Sequence, residues 1–338
     1  MRPIFIPRLV NGPFGDPGLY VDFKFEKRAL LFDAGDLAAL PPKKLLRISD
    51  VFVSHTHMDH FVGFDRLLRI CLGREVGMRL YGPEGFIDRV EHKLAAYTWN
   101  LVENYPRDLV IETWEVDPGW NARGARFRCH RRFQREPLEG RCAPDGVMLD
   151  EPAFRVRAAF LDHDTPCLAF SVEEKTHVNV WKNALAELGL PVGPWLKELK
   201  RAAVQGAPDD TPVRASWRDR DGAHERTFAL GELKARVLRL VAGAKLCYVT
   251  DVVYSEDNAR RIAELTADAD HLFIECVFLD EDADHAARKF HLTARQAGSI
   301  ARAARARLVV PFHFSPRYAE RETALRDELE AAWRSFSQ

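Results

Sequence analysis

The heptapeptide Ser54-His55-Thr56-His57-Met58-Asp59-His60 follows directly on a short apolar run, Val51-Phe52-Val53, and constrains this chain more than any other feature. It gathers four metal-competent side chains, His55, His57, Asp59 and His60, into six residues. A turn lets positions i, i+2, i+4 and i+5 converge, whereas a helix or strand distributes them over different faces. Imidazole nitrogen and carboxylate oxygen suit zinc, and also manganese or iron. The segment therefore reads as half of a dinuclear metal site rather than as a histidine-rich surface loop.

A metal pair needs further ligands, and four other apolar runs end on a suitable side chain. Phe154–Leu161 alternates apolar residues and ends at Asp162-His163. Leu246–Thr250 ends at Asp251, Leu272–Ile274 at Glu275, and Leu308–Phe312 at His313. In layered α/β folds the carboxyl ends of strands collect ligands and chemistry, so these side chains are expected to meet at one sheet edge.

The order His55-x-His57-x-Asp59-His60, His163, Asp251, His313 resembles the ligand order of the metallo-β-lactamase superfamily. Within it the chain is similar to the ribonuclease Z (tRNA 3′-processing endonuclease) branch. The segments Ile274–Ala283, His291–Ala297 and His313–Tyr318 resemble that branch's HEATF-like, GHST-like and HFSPRY blocks in order and spacing. Leu161-Asp162-His163, Tyr81–Gly85 and Leu31-Phe32-Asp33-Ala34-Gly35 match as well, the last resembling an LLxDxGEG strand. The resemblance spans about the whole chain, most weakly over 100–150 and 201–240. The chain departs from the pattern at Met58, where the family has Gly, at Thr250-Asp251-Val252, where it has Gly-Asp-Thr, and at the N-terminal turn Val10–Gly18. Metal ligation survives these changes, while a Met in the ligand loop and a Thr hydroxyl absent from position 252 alter the surroundings of the ligands.

The resemblance implies two divalent metal ions, Zn2+ with Mn2+ or Fe2+ as alternatives. It assigns His55, His57 and His163 to one, Asp59, His60 and His313 to the other, and Asp251 as the bridge. Asp59 also acts in catalysis by orienting the attacking water; His291 assists the leaving group, and Glu275 is its partner. For His291 the alternative is a residue flanking the next helix, whose N-cap Thr293 can supply. Arg317 is expected to pair with a substrate phosphate or with a structural carboxylate. Independently of any family, two dications balanced by two carboxylates and neutral imidazoles leave a net positive site that acidifies bound water and suits an anionic ester.

With 338 residues, 46% hydrophobic and 29% charged, the chain can bury a large core. No run approaches the ~18 apolar residues of a membrane span, and the first ten residues have no signal-peptide character, so a cytoplasmic protein with no membrane partner is expected. The cysteines Cys71, Cys129, Cys142, Cys167, Cys247 and Cys276 are scattered, which fits reduced thiols; Cys129, His130 and Cys142 lack the paired spacing of a second metal site.

The expected fold is an α/β, αββα four-layer metallo-β-lactamase sandwich, a single domain over 1–338 with an arm-like or helical insertion at 177–240. Strands are expected near 19–25 and 29–33, and helices near 60–71, 84–98, 257–267, 293–306 and 318–335. Within the insertion, helices at 181–188 and 195–201 flank the break 189–194. This segment resembles the Gly-Pro-containing part of the family's protruding arm, which implies substrate contacts from Gly193, Pro194 and Lys197. The other reading is a helical hairpin packed on the core through Trp181, Leu185, Leu188 and Trp195. A second region, Arg123–Arg135, carries six arginines with Phe127, His130 and Phe133 interleaved, in a chain of net charge -1. Such a run suits phosphate contact and base stacking, or the solvated face of a strand pair.

Three functions are compatible with these features. One is a ribonuclease Z-like phosphodiester hydrolase that cuts precursor tRNA 3′ ends, acting as a homodimer as the resemblance implies. Another is a phosphodiesterase or ester hydrolase of the same fold acting on a different substrate. The third, a non-catalytic RNA-binding protein, has no need of seven intact ligand positions.

Overall fold

Apolar alternation along the strands builds two sheets, seen in a computed structural model that describes residues 5–24, 26–74, 77–175, 177–204, 206–219, 222–241 and 243–335. The first sheet is ordered β1 (Phe5–Leu9), β2 (Leu19–Phe23), β3 (Ala29–Phe32), β4 (Ile48–Phe52), β5 (Gly77–Pro83), β6 (Val110–Val116), β7 (Asn121–Arg128) and β8 (Arg135–Cys142). The strands β3 to β6 run parallel. Three strands then follow in the chain: β9 (Val147–Asp150), β10 (Phe154–Asp162) and β11 (Pro166–Glu174). The segment up to residue 243 adds β12 (His177–Val180), β13 (Pro212–Asp219), β14 (Gly222–Ala229) and β15 (Leu238–Val241). The second sheet is completed by β16 (Lys245–Val249), β17 (His271–Glu275) and β18 (Val309–Phe312), in the order β18-β17-β16-β11-β10-β9.

Two compact units result, Met1–Glu173 with Ala244–Gln338, and Glu174–Gly243. In the larger unit, one apolar cluster draws Leu19, Phe32, Phe52 and Tyr81 from the first sheet and Phe154, Phe170, Tyr248 and Phe312 from the second, so the sheets face each other. A second cluster packs α1 (Pro42–Leu45), α2 (Met58–Phe61), α3 (Phe64–Cys71) and α4 (Phe86–Ala95) on the outside of the first sheet. The αββα order follows once the other outer layer is counted. That layer is made of α8 (Glu256–Thr266), α9 (Ala283–Arg288), α10 (Ala294–Ala303) and α11 (Glu322–Arg334), packed on the second sheet. The remaining helices, α5 (Lys182–Glu187), α6 (Trp195–Val204) and α7 (Leu230–Arg236), belong to the smaller unit.

Local chemistry sets the helix bounds. Thr293 and Gln296 form a reciprocal capping box, so α10 starts one residue after Thr293. The helix expected over 60–71 is instead two, α2 and α3, because Gly63 packs against the Ala34-Gly35 backbone: a Cβ there would lie 1.9 Å from the Gly35 carbonyl oxygen. The strand expected to reach position 25 ends at Phe23, and Phe25 lies outside the described residues.

The smaller unit has its own core, built on Leu185, Trp195, Leu199, Phe228 and Leu233. The charged stretch 214–226 forms the hairpin β13–β14, which helical expectations missed; positions 205, 220 and 221 lie outside the described residues. Trp181, read as a packing residue, is 62% exposed.

The arginine run corrects another expectation. Phe127 and Phe133 are buried in the core and offer no stacking face. Each arginine meets carboxylates: Arg123 with Glu115, Arg126 with Glu112, Arg128 with Asp108, Arg131 with Glu136, Arg132 with Glu103, and Arg135 with Glu91. Those acids come from neighbouring strands and loops, so a run that is basic in sequence is neutralised in space.

Candidate metal centre

Four strand ends deliver the expected ligand set to one place. The turn after β4 carries His55, His57, Asp59 and His60, with His57 capping α2; His163 follows β10, Asp251 follows β16, and His313 follows β18. Ligand-type atoms of His55, His57, His163 and Asp251 lie within 4.8 Å of one another, as do those of Asp59, His60 and His313. Asp251 Oδ2 lies between the groups, 3.7 Å from His55 Nε2, 3.4 Å from His60 Nε2 and 3.3 Å from His163 Nε2. Asp59 Oδ2 is 3.5 Å from His60 Nε2 and 3.4 Å from His313 Nε2.

Three buried ring nitrogens, Nε2 of His55 and His60 and Nδ1 of His313, have no hydrogen-bond partner among the described residues. His313 Nδ1 lies 2.9 Å from Asp251 Oδ1 without hydrogen-bond geometry. Orphaned buried imidazole nitrogens that face carboxylates are costly unless a cation satisfies them, so the residues fit a metal pair. Burial, reinforced by the field of His60, pushes His55 down to about 2, which keeps it neutral as a ligand must be. Burial acts in the same direction on His60, but the carboxylates of Asp251 and Asp33 outweigh it and raise that imidazole to about 10 in the metal-free site, a proton that a bound cation has to displace. Desolvation opposes the shift at Asp251 too, yet His313 and His60 hold its carboxyl well below the usual range.

The opposite ring atoms are anchored. His60 Nδ1 is 2.8 Å from Asp33 Oδ2, His163 Nδ1 is 2.7 Å from the Phe290 carbonyl, and His55 Nδ1 lies 3.1 Å from Ser54 Oγ and 3.7 Å from Cys167 Sγ. Asp33 also accepts from the Ser54 amide and hydroxyl and from the Tyr248 phenol. Although the Thr hydroxyl is missing at position 252, Thr250 donates to Asp251 Oδ1 at 2.8 Å. Asp33, Asp251 and His313 all adopt left-handed φ, at 54°, 34° and 60°. Such strain costs about 1–3 kcal/mol per residue and persists where surrounding contacts over-determine it.

Asp33, Ser54, Tyr248 and Cys167 were not singled out from sequence as holders of ligands. Asp33 could have been: it ends the buried strand β3 just as Asp251 ends β16. Tyr248 and Cys167 look like ordinary apolar-strand residues, and only the facing of the two sheets gives them partners.

His291 and Glu275 form a pair beside the cluster, with His291 Nδ1 2.8 Å from Glu275 Oε2. Glu275 Oε1 accepts from the Val252 and Leu292 amides, so its oxygens are already occupied. Burial opposes protonation of His291, but Glu275 raises its pKa above the ordinary value. Arg317 lies 3.3 Å from Asp282 and over the Phe278 ring, so of its two expected partners the structure supplies the carboxylate. Gly193, Pro194 and Lys197 are in the smaller unit, where Gly193 packs on Trp195 and Lys197 is exposed.

Comparison with known proteins agrees with this geometry. A family model described as a beta-lactamase superfamily domain matches residues 212–314, which contain Asp251, Glu275, His291 and His313. The ribonuclease Z of Deinococcus radiodurans is 33% identical over 97% of this chain and 95% of its own length. That of Treponema pallidum (strain Nichols) is 27% identical, covering 92% of this chain and 84% of its own. The crystal structure of human tRNase Z, short form, matches with a TM-score of 0.51 at 20% identity over 93% of each chain, a likeness of fold. The metallo-beta-lactamase fold protein YhfI from Bacillus subtilis matches with a TM-score of 0.54 at 15% identity, covering 97% of this chain and 92% of its own. This chain therefore belongs to the ribonuclease Z family of the metallo-β-lactamase superfamily and is a metal-dependent hydrolase.

Proposed function

We propose that this enzyme is a dinuclear phosphodiester hydrolase that cuts precursor tRNA at its 3′ end. The observation that carries the reading is the convergence of His55, His57, Asp59, His60, His163, Asp251 and His313 in a chain similar over 97% of its length to a ribonuclease Z. His55, His57 and His163 would hold one ion, Asp59, His60 and His313 the other, with Asp251 between them; zinc suits the nitrogen-rich set, and manganese or iron are alternatives. Such a pair, when bound, acidifies a water and offsets charge on the phosphoryl oxygens.

The chain's own groups account for the rest. Asp59 is the more exposed of the two aspartates and can orient the attacking water through its carboxylate. His291, kept protonated by Glu275, can donate to the departing oxygen. Glu275 acts as a positioning residue, because two backbone amides and one imidazole fix it. Gly193, Pro194 and Lys197 are the proposed tRNA contacts of the smaller unit, and Arg317 a phosphate contact if its pairing with Asp282 opens.

Met58, 80% exposed within the ligand loop, favours a second reading, a phosphodiesterase with another substrate. Cleavage of a 3′-extended precursor tRNA beside a small chromogenic phosphodiester, by wild type, Asp59→Ala and His291→Ala in zinc and in manganese, separates the two. Single-site RNA cleavage lost in Asp59→Ala is the expected result, and hydrolysis of the small ester alone would move the assignment to the second reading. Sedimentation of the purified chain tests the homodimer that the family reading implies.

A further inference from the structure

A cavity of about 800 Å³ opens beside α3, lined by Asp65, Arg69, Tyr97, Trp99 and Tyr105 among others. Its position follows from topology. The strands β4, β5 and β6 are parallel, so α3 and α4 run back from the carboxyl ends, which carry the metal ligands, toward the amino ends. The cavity is built from one face of α3, from Asp65 in its first turn to Leu72 just past its end, and from the chain after α4. None of the seven proposed metal ligands lines it.

The lining is chemically specific. Trp99 Nε1 donates to the Leu94 carbonyl at 2.7 Å, and the ring packs edge-on against Phe133 and Tyr97, with centroids 4.8 and 5.8 Å away. The Tyr105 ring lies against Gly73, where a Cβ would sit 3.5 Å from it. Tyr97 is 45% exposed. Arg69 has no ion-pair or hydrogen-bond partner among the described residues, unlike every arginine of the 123–135 run. Asp65 pairs through Oδ2 with Lys93 at 3.0 Å and faces the Tyr97 hydroxyl, while its buried Oδ1 has no partner in full hydrogen-bond geometry among the described residues. The cavity thus combines aromatic faces, an incompletely satisfied carboxylate and a free guanidinium.

We infer that this cavity is a nucleotide site: a base stacks on the aromatic rings, its edge donates to Asp65, and its phosphate meets Arg69. The volume is in the range of small-ligand sites, aromatic faces hold bases of any sequence, and guanidinium recognises phosphate in a planar fork. The open Oδ1 accepts one base N–H, and guanine, whose Watson–Crick edge presents two adjacent donors, can also reach the Oδ2 shared with Lys93, whereas uracil presents one donor only. The occupant is a free mononucleotide or a nucleotide within an RNA strand, and the site stands whichever ester the metal centre cleaves.

Calorimetric titration of the metal-loaded protein with guanosine 5′-monophosphate, uridine 5′-monophosphate and a short 5′-phosphorylated single-stranded RNA ending in guanosine tests it. Wild type is compared with Arg69→Ala and Asp65→Asn, each checked for an unchanged unfolding midpoint. The expected result is guanosine monophosphate binding weakened tenfold or more by Arg69→Ala, with the preference over uridine monophosphate lost in Asp65→Asn. Arg69-dependent binding of the RNA alone also supports the site and assigns its occupant to a strand. Binding to the metal centre is indifferent to Arg69, so binding equal in wild type and Arg69→Ala, or none with any probe, overturns the inference.

Discussion

The Tyr248 phenol donates to Asp33 Oδ2 at 3.0 Å, joining the second sheet to the first directly beneath the ligand loop. That same oxygen lies 2.8 Å from His60 Nδ1 and accepts from Ser54 Oγ, so one buried carboxylate sets both the ring angle of a proposed ligand and the start of its turn. Partners of this kind typically contribute 10–100-fold in metal affinity. Asp33→Asn should therefore lower affinity by about that factor, measured by competition with a chelator. Tyr248→Phe, which leaves the Ser54 donors in place, should cost about 1 kcal/mol, or a few-fold. Unchanged affinity in Asp33→Asn would show that His60 needs no such anchor.

His291 and Glu275 give a pH signature. An acid must be protonated to act, and Glu275 raises the His291 pKa, so activity should fall as pH rises through a value above that of an ordinary imidazole. His291→Ala should lose about 10²–10⁴-fold in kcat and with it that alkaline limb. Glu275→Gln should keep the limb but move it to lower pH, because the imidazole then loses its carboxylate. A limb at the same pH in Glu275→Gln would remove Glu275 from the positioning role.

Much of this site was legible because its chemistry is local: each ligand-type residue ends an apolar strand, and strand ends meet at one edge. The second sheet's β17 and β18 and the N-cap Thr293 of α10 were readable for the same reason. What escaped depends on hairpin register and on which face of a strand meets a core. The Arg123–Arg135 run looks like a phosphate-binding surface until the register of the β6–β7 hairpin sets Glu112 opposite Arg126 and Glu115 opposite Arg123, with Asp108 just before β6 beside Arg128. The hairpin β13–β14 is rich in charge, and its strand character comes from Val213, Ala215 and Phe228 facing a core that only the smaller unit supplies.

A buried ion cluster far from the ligands should matter for stability alone. Asp50 is inaccessible to solvent and meets Arg28 and Arg79 at 2.6 Å each, and Glu151 from the start of the second sheet closes the group. Asp50→Asn leaves both guanidiniums to Glu151 alone and should cost about 2–3 kcal/mol, at the low end because both also reach solvent. The urea midpoint should fall while activity per folded molecule stays. The hydrogen bond from Arg28 lowers the Glu151 pKa. Its stabilisation is complete above the unfolded value of about 4.3 and is lost as pH falls toward the folded one. Wild type should accordingly lose more stability than Glu151→Gln on acidification from about pH 5 to 3.

Gly63 tests whether the ligand loop depends on backbone closeness. Its amide donates to the Ala34 carbonyl at 2.8 Å, and an added Cβ would lie 1.9 Å from the Gly35 carbonyl oxygen and 2.7 Å from Leu37 Cγ. Neither carbonyl can move freely, because the Gly35 backbone also packs on the Asp59 carbonyl, where a Cβ at position 35 would come within 2.4 Å. Gly63→Ala is thus a methyl group forced against the strap that carries Asp59 and His60, not a helix-favouring change. Overpacking of this sort costs about 1–3 kcal/mol or more. The variant should show a lower unfolding midpoint together with weaker metal retention after dialysis. A more stable protein with full metal content would mean that α2 and α3 can fuse into the single helix their sequence suggests, and that the break at Gly63 does not position the site.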